Sequence, residues 1–146
     1  MIRVIGLGSP FGDDRVGWRV IELLGTLLPT QIDCVALDRP GAALINWMQG
    51  VDHLVLIDAL KSGAPPGSIV TLTTEDLKTE NPRLSGHMLA LSDTLRLAET
   101  LGHLPARIDV YGIEMSGLTG QKLSESAAKA ARKLSSRLVE NNELND

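Results

Sequence analysis

Cysteine is almost absent from this chain: Cys34 stands alone in 146 residues. No internal disulfide and no thiolate zinc cluster can form, which fits a reducing compartment and leaves Cys34 as small apolar filler. Aromatic side chains are nearly as scarce, being Phe11, Trp18, Trp47 and Tyr111 only, so the core must come from Leu, Ile, Val and Ala. Fourteen basic residues against eighteen acidic ones leave a net charge of -4. No window gathers the Lys/Arg stripe that a phosphate backbone needs, which argues against a nucleic-acid partner. No apolar run is long enough to span a bilayer, and Met1 leads into a strand-like segment without a basic n-region. Both points predict a cytoplasmic protein that does not engage a membrane.

What is present alternates regularly. Ile2 to Leu7 is an apolar run ending at Gly8-Ser9-Pro10, the pattern of a strand buried on both faces. Val16, Val20, Leu23, Leu24 and Leu27 then recur at helical spacing, after an acidic pair that suits a helix start. Gln31 to Leu37 predicts a second strand, Ala42 to Met48 a short helix and Leu54 to Asp58 a third strand. After the turn Ser62-Gly63-Ala64-Pro65-Pro66-Gly67, the β-branched run Ser68 to Thr73 predicts a fourth strand, antiparallel at an edge. Glu75 to Gly86 reads as polar loop, Met88 to Leu101 as a helix, Ile108 to Ile113 as a last strand and Lys122 to Val139 as a surface helix.

With no internal repeat and no linker, this grammar predicts one domain over residues 1–146, its tail 141–146 frayed. The expected fold is α/β: a single three-layer α/β/α sandwich around a mostly parallel sheet of about five strands, with one antiparallel edge strand.

In such sheets ligands bind beyond the carboxyl ends of the strands. Asp13 and Asp14 follow the first predicted strand, Asp38 ends the second, Asp58 ends the third and Glu114 follows the last. Five carboxylates are thus expected on one edge. Like charges in a cleft repel, so the cluster calls for a cation, a shared proton or a cationic substrate. Arg15 and Arg39 sit beside two of the five, too few to neutralise all, and a bound metal is the simplest missing charge. His87 opens a predicted helix where an imidazole can reach the same edge, and Asp, Asp and His suit a divalent transition metal.

Blander readings compete. Asp14 alone is an ordinary first-turn helix charge, and a lone histidine is usually structural. Asp58 resists such an account, because it ends the buried run Leu54-Val55-Leu56-Ile57, where a carboxylate needs partners. His53 and His103 have no acidic context of this kind and are assigned to structure. The Gly-rich stretch Gly6 to Gly12 could instead be a nucleotide-binding turn, but its third glycine comes one residue late, and Pro10 and the acidic pair oppose a pyrophosphate.

Gly6-Leu7-Gly8-Ser9-Pro10-Phe11-Gly12-Asp13-Asp14-Arg15-Val16-Gly17 resembles the N-terminal signature of the hydrogenase maturation proteases, a Gly-x-Gly-Asn run leading to an acidic pair and a glycine. The resemblance continues through Asp38-Arg39-Pro40-Gly41-Ala42, Leu54 to Ala59 and Ser85-Gly86-His87-Met88-Leu89. Ser9 replaces the usual Asn, Arg15 replaces a common Gly, and the loop from Gly8 to Asp13 is one residue short.

By that resemblance Asp14, Asp58 and His87 are metal ligands, and Asp38 takes part in substrate processing, with Asp14 and Asp38 as the catalytic carboxylates. The implied activity is a nickel-recognising endopeptidase that removes the C-terminal extension of a nickel-iron hydrogenase large-subunit precursor after nickel insertion. The nickel arrives with the precursor, and another divalent transition metal could take its place in isolation. The alternatives are a non-catalytic module that senses metal or holds the precursor, and a nucleotide-binding α/β domain.

Overall fold

A computed structural model describes residues 1–29, 32–78, 86–117, 120–140 and 144. Four strands run parallel: β1 (Ile2–Gly8), β2 (Asp33–Asp38), β3 (His53–Leu60) and β5 (Arg107–Glu114). The short strand β4 (Ile69–Leu72) pairs antiparallel with β5 at the sheet edge, giving the order β2-β1-β3-β5-β4. The sandwich with its antiparallel edge strand is therefore the fold that the sequence predicts.

The two-residue period of the strands sorts the core into two layers. Val55, Ile57 and Ala59 of β3 face α1 (Val16–Leu27) and α4 (Glu125–Glu140), while Leu54, Leu56 and Leu60 face the opposite layer. That opposite layer contains α2 (Thr74–Lys78), α3 (Gly86–Thr100) and the 3-10 segment Gly41–Met48. Each fully buried Leu or Ile contributes about 1.5–3 kcal/mol relative to exposure, so these alternating rows specify the register of the sheet.

Glycine sets how closely α1 lies on β1. A Cβ on Gly6 would stand 2.3 Å from the Gly17 carbonyl oxygen, and one on Gly17 would stand 2.6 Å from that of Leu7. Neither position admits a side chain without moving backbone. α4 uses alanine for a similar end, burying Ala127, Ala130 and Ala131 beside Leu134 and Leu138.

Two local expectations change. Gly41–Met48 winds as a 3-10 segment instead of an α-helix, consistent with the few residues available between β2 and β3. Within the stretch read as polar loop, Thr74–Lys78 forms a short helix whose start is closed by a reciprocal pair: the Thr73 amide donates to Asp76 at 2.8 Å and the Asp76 amide donates to the Thr73 hydroxyl at 3.1 Å. Residues 79–85 of that stretch lie outside the described residues. Of the tail predicted to fray, only Leu144 is described, and it is buried against the α1 and α4 layer. Among the described residues no helix is long and apolar enough to cross a membrane.

Candidate active site at the switch between β1 and β3

The chain leaves β1 toward β2 on one side and returns to β3 on the other. The carboxyl ends of β1 and β3 therefore flank a topological switch point, where loops diverge and leave a crevice. Asp58 sits at the β3 side of it. Even-numbered side chains of β3 point to the α3 layer, so Asp58 continues the row Leu54 and Leu56 and is only 4% exposed. Burial pushes its carboxyl up to about 7, the nearby Asp14 carboxylate adds to the rise, and the hydrogen bond from the Ala59 amide at 2.8 Å opposes it. A group poised there can hold or release a proton near neutrality.

Asp14 reaches the same crevice from the loop after β1. The 3-10 turn Gly12–Arg15 is closed by the Asp14 amide donating to the Phe11 carbonyl at 3.1 Å, and the Ser9 hydroxyl donates to the Asp14 carboxylate. Ser9 thus supplies a hydrogen bond donor at the position where the resemblance expects Asn. Arg15 donates to the Pro10 carbonyl at 2.8 Å, bracing the shortened loop across its own width. The main chain of Asp14 fills the space beside Gly8, where a Cβ would lie 2.2 Å from the Asp14 carbonyl oxygen. Gly6 and Gly8 are accordingly used for strand-to-helix approach, not for cradling a pyrophosphate.

Asp38 ends β2 level with Gly8, and the Arg39 amide donates to the Gly8 carbonyl at 3.1 Å. The Arg39 guanidinium donates to Asp38 at 2.7 Å, and that hydrogen bond, with the charges of Asp38 and of Asp14, raises the guanidinium's proton affinity. Asp14, Asp38, Asp58 and Arg39 therefore share one electrostatic neighbourhood. Arg39 also adopts a φ of 41°, a left-handed conformation that a non-glycine residue holds only at a cost.

The other two predicted carboxylates are elsewhere engaged. Asp13, buried, accepts from the Ser116 amide at 2.8 Å and from the Ser124 amide and hydroxyl at 2.7 Å each. It ties the loop after β1 to the start of α4. Glu114, also buried, accepts from the Ser62 amide at 3.1 and 2.9 Å and from its hydroxyl, fastening the turn between β3 and β4. The expectation of five carboxylates on one edge of the sheet holds, but serine-rich loops satisfy Asp13 and Glu114, which leaves Asp14, Asp38 and Asp58 as the charge cluster.

His87 lies in the first turn of α3, and its side chain lies outside the described residues. Among the described residues, no three His, Cys, Asp or Glu side chains form a cation site. His53, in contrast, is buried and paired with Asp109 at 2.7 Å, at the amino end of the sheet away from the crevice. Cys34 is half-buried, and burial followed by the charge of Asp33 pushes its thiol up, which makes it a poor nucleophile.

A cavity of about 340 Å³ opens beside Asp58. Leu7 and Gly8 of β1 form one end, Leu44 and the turn around Arg39 one wall, and Ala90, Leu91 and Thr94 of α3 the other.

Comparison with known proteins now adds to this geometry. Residues 21–141 match the hydrogenase maturation protease family model, a span that includes Asp38, Asp58 and His87 and begins after Asp14. The chain is similar to the hydrogenase 2 maturation protease of Escherichia coli K12, 28% identical over 117 residues, which cover 77% of this chain and 71% of that one. It is also similar to the hydrogenase expression/formation protein HupD of Rhodobacter capsulatus, at 24% identity, and spans only 56% of that relative's length. Among solved structures, the hydrogenase maturating endopeptidase HybD from E. coli superposes with a TM-score of 0.80 at 22% identity, over 98% of this chain and 92% of that one. The [NiFe] hydrogenase maturation protease HycI from Thermococcus kodakarensis KOD1 gives 0.73 at 24% identity, over 95% and 90%. These two likenesses establish the shared fold.

Proposed function

The chain belongs to the hydrogenase maturation protease family, and from that premise we propose that it is an endopeptidase acting on a nickel-iron hydrogenase large-subunit precursor. Its product is the large subunit freed of a C-terminal extension, and its cue is nickel already seated in the precursor.

The observation that carries this reading is the meeting of Asp14 and Asp58 at the switch-point crevice, close enough for one charge to raise the other's proton affinity. Two carboxylates drawn together in a largely apolar recess repel until a cation arrives, and a divalent ion inverts that balance. The register of α3 adds support: position 87 lies one turn before Leu91, which borders the same cavity as Asp58. Asp14, Asp58 and His87 together make a donor set suited to nickel or a similar transition metal.

In this mechanism the three side chains engage the precursor's nickel and so fix the adjoining peptide bond in the crevice. Asp38, ion-paired with Arg39 at the rim, orients the chain or takes a proton from the attacking water, with Asp14 sharing that work. The water oxygen adds to the carbonyl carbon, the carbon–nitrogen bond breaks, and the leaving nitrogen receives the proton. A precursor without nickel lacks the anchor, so cutting waits for metal insertion.

The test is to incubate the purified protein with nickel-loaded and nickel-free precursor and to weigh the C-terminus of each product. Shortening of the loaded precursor alone is the expected result. Binding of a competent precursor with no shortened product would establish instead a holding or metal-sensing module. A thermal shift produced by a nucleotide and not by divalent transition metals would favour the nucleotide-binding alternative.

A further inference from the structure

We propose that the cavity between α3 and the Gly41–Met48 segment is a specificity subsite that receives one apolar side chain of the precursor, from a residue flanking the bond that is cut. The proposal rests on the protease reading above and adds to it a determinant of which sequence is accepted.

The space measures about 340 Å³, room for one bulky side chain presented by an extended strand. Chemistry narrows the choice further. Leu7, Leu44, Leu91 and the methylene-rich turn at Pro40 make the lining predominantly apolar, with Asp58 and Arg39 as its charged members, so an apolar side chain seated there gains burial against its hydrophobic neighbours.

Position decides which side chain. The cavity and Asp58 share a wall, so a group seated in it holds its own backbone next to the carboxylate that faces the reacting centre. A residue remote from the cut could not occupy the cavity while the cut bond lies in the crevice. Thr94 points its hydroxyl away from this duty, donating to the Ala90 carbonyl one turn earlier at 3.0 Å and leaving its methyl for the lining. Ala90 is exposed at the cavity rim on a helix already supported by buried Met88, Leu91 and Leu95, so it is the natural gauge of size.

The experiment uses nickel-loaded precursors in which the residue on each side of the cut is in turn Leu, Ala or Asp, with the native protein and the Ala90→Leu variant. Leu is a good helix former, so the variant keeps its fold, which circular dichroism verifies. The native protein should prefer Leu over Asp by about tenfold or more in kcat/KM at one of the two positions, and Ala90→Leu should turn that site's preference from Leu to Ala. Native rates within about twofold across the whole set, or an Ala90→Leu loss equal for all precursors, overturn the subsite and leave the protease reading standing. A native protein that leaves the unaltered nickel-loaded precursor uncut as well overturns both.

Discussion

Two groups of acidic residues occupy the same edge of the sheet and behave oppositely. Near β5, Asp13 and Glu114 are wrapped in serine and amide donors and hold loops together. At the β1 and β3 crevice, Asp58 sits among Leu and Gly neighbours, accepts from the Ala59 amide, and has its carboxyl pushed up to about 7. Both Asp13 and Asp58 are about equally buried, 5% and 4% exposed. Burial alone therefore does not distinguish the two groups; the raised proton affinity of Asp58 beside the Asp14 charge does.

The sharpest break in that comparison is in activity. Asp58→Asn and Asp14→Asn should each lower processing of nickel-loaded precursor by about a thousandfold or more, while Asp13→Asn stays within about tenfold of native. Single-turnover assays on folded protein measure the difference. Equal losses at Asp13 and Asp58 would mean that the two groups are one site.

The next effect is on stability, and its sign follows from Asp58 alone. Its ordinary value is 3.8 and its folded value about 7, so between them the folded protein holds a proton that the unfolded chain has released. Stability then falls as pH rises from 3.8 to about 7 and flattens above. The full gap corresponds to at most about 4 kcal/mol. Denaturant midpoints of native protein and Asp58→Asn should diverge across that window, with the variant more stable on the alkaline side. Parallel curves would place Asp58 with Asp13 and Glu114. A slightly smaller effect, of the opposite kind, is expected at Asp13→Ala: loss of about 3 kcal/mol through orphaned Ser116 and Ser124 amides, with near-normal processing by the fraction that stays folded. Urea unfolding measures it.

Much of this was legible in the sequence, for physical reasons that differ by element. The strand end at Asp38 and the helix from Val16 could be read because apolar periodicity is strong there, whereas β3 runs two residues past Asp58 to Leu60, because Ala59 and Leu60 continue its buried rows. The helix over Thr74–Lys78 was hidden because its five residues carry no apolar stripe, only a capping pair. Asp13 and Asp14 could not be told apart, since adjacent residues share every sequence feature; their fates diverge through Ser124, more than a hundred positions away. Arg39 could be seen only as a neighbouring charge, because a left-handed backbone in a non-glycine residue leaves no trace in composition.

That residue supplies the smallest and last test. Arg39 keeps a φ of 41° where glycine would rest without strain, and its guanidinium holds Asp38 at the rim. Nothing comparable is recorded at Asp13 or Glu114, where the only other positive φ values among described residues belong to glycines. If strain is kept here for the sake of the site, Arg39→Gly should raise Tm by about 1–3 °C, relief of the left-handed backbone slightly outweighing the added freedom of the unfolded chain. Arg39→Ala retains the strained backbone and should show no such rise. Both variants should process precursor more slowly than native, because each releases Asp38 from its ion pair. A Tm gain in Arg39→Gly with undiminished processing would reduce Arg39 to a tolerated turn residue, and the crevice would differ from the Asp13 region in its carboxylates alone.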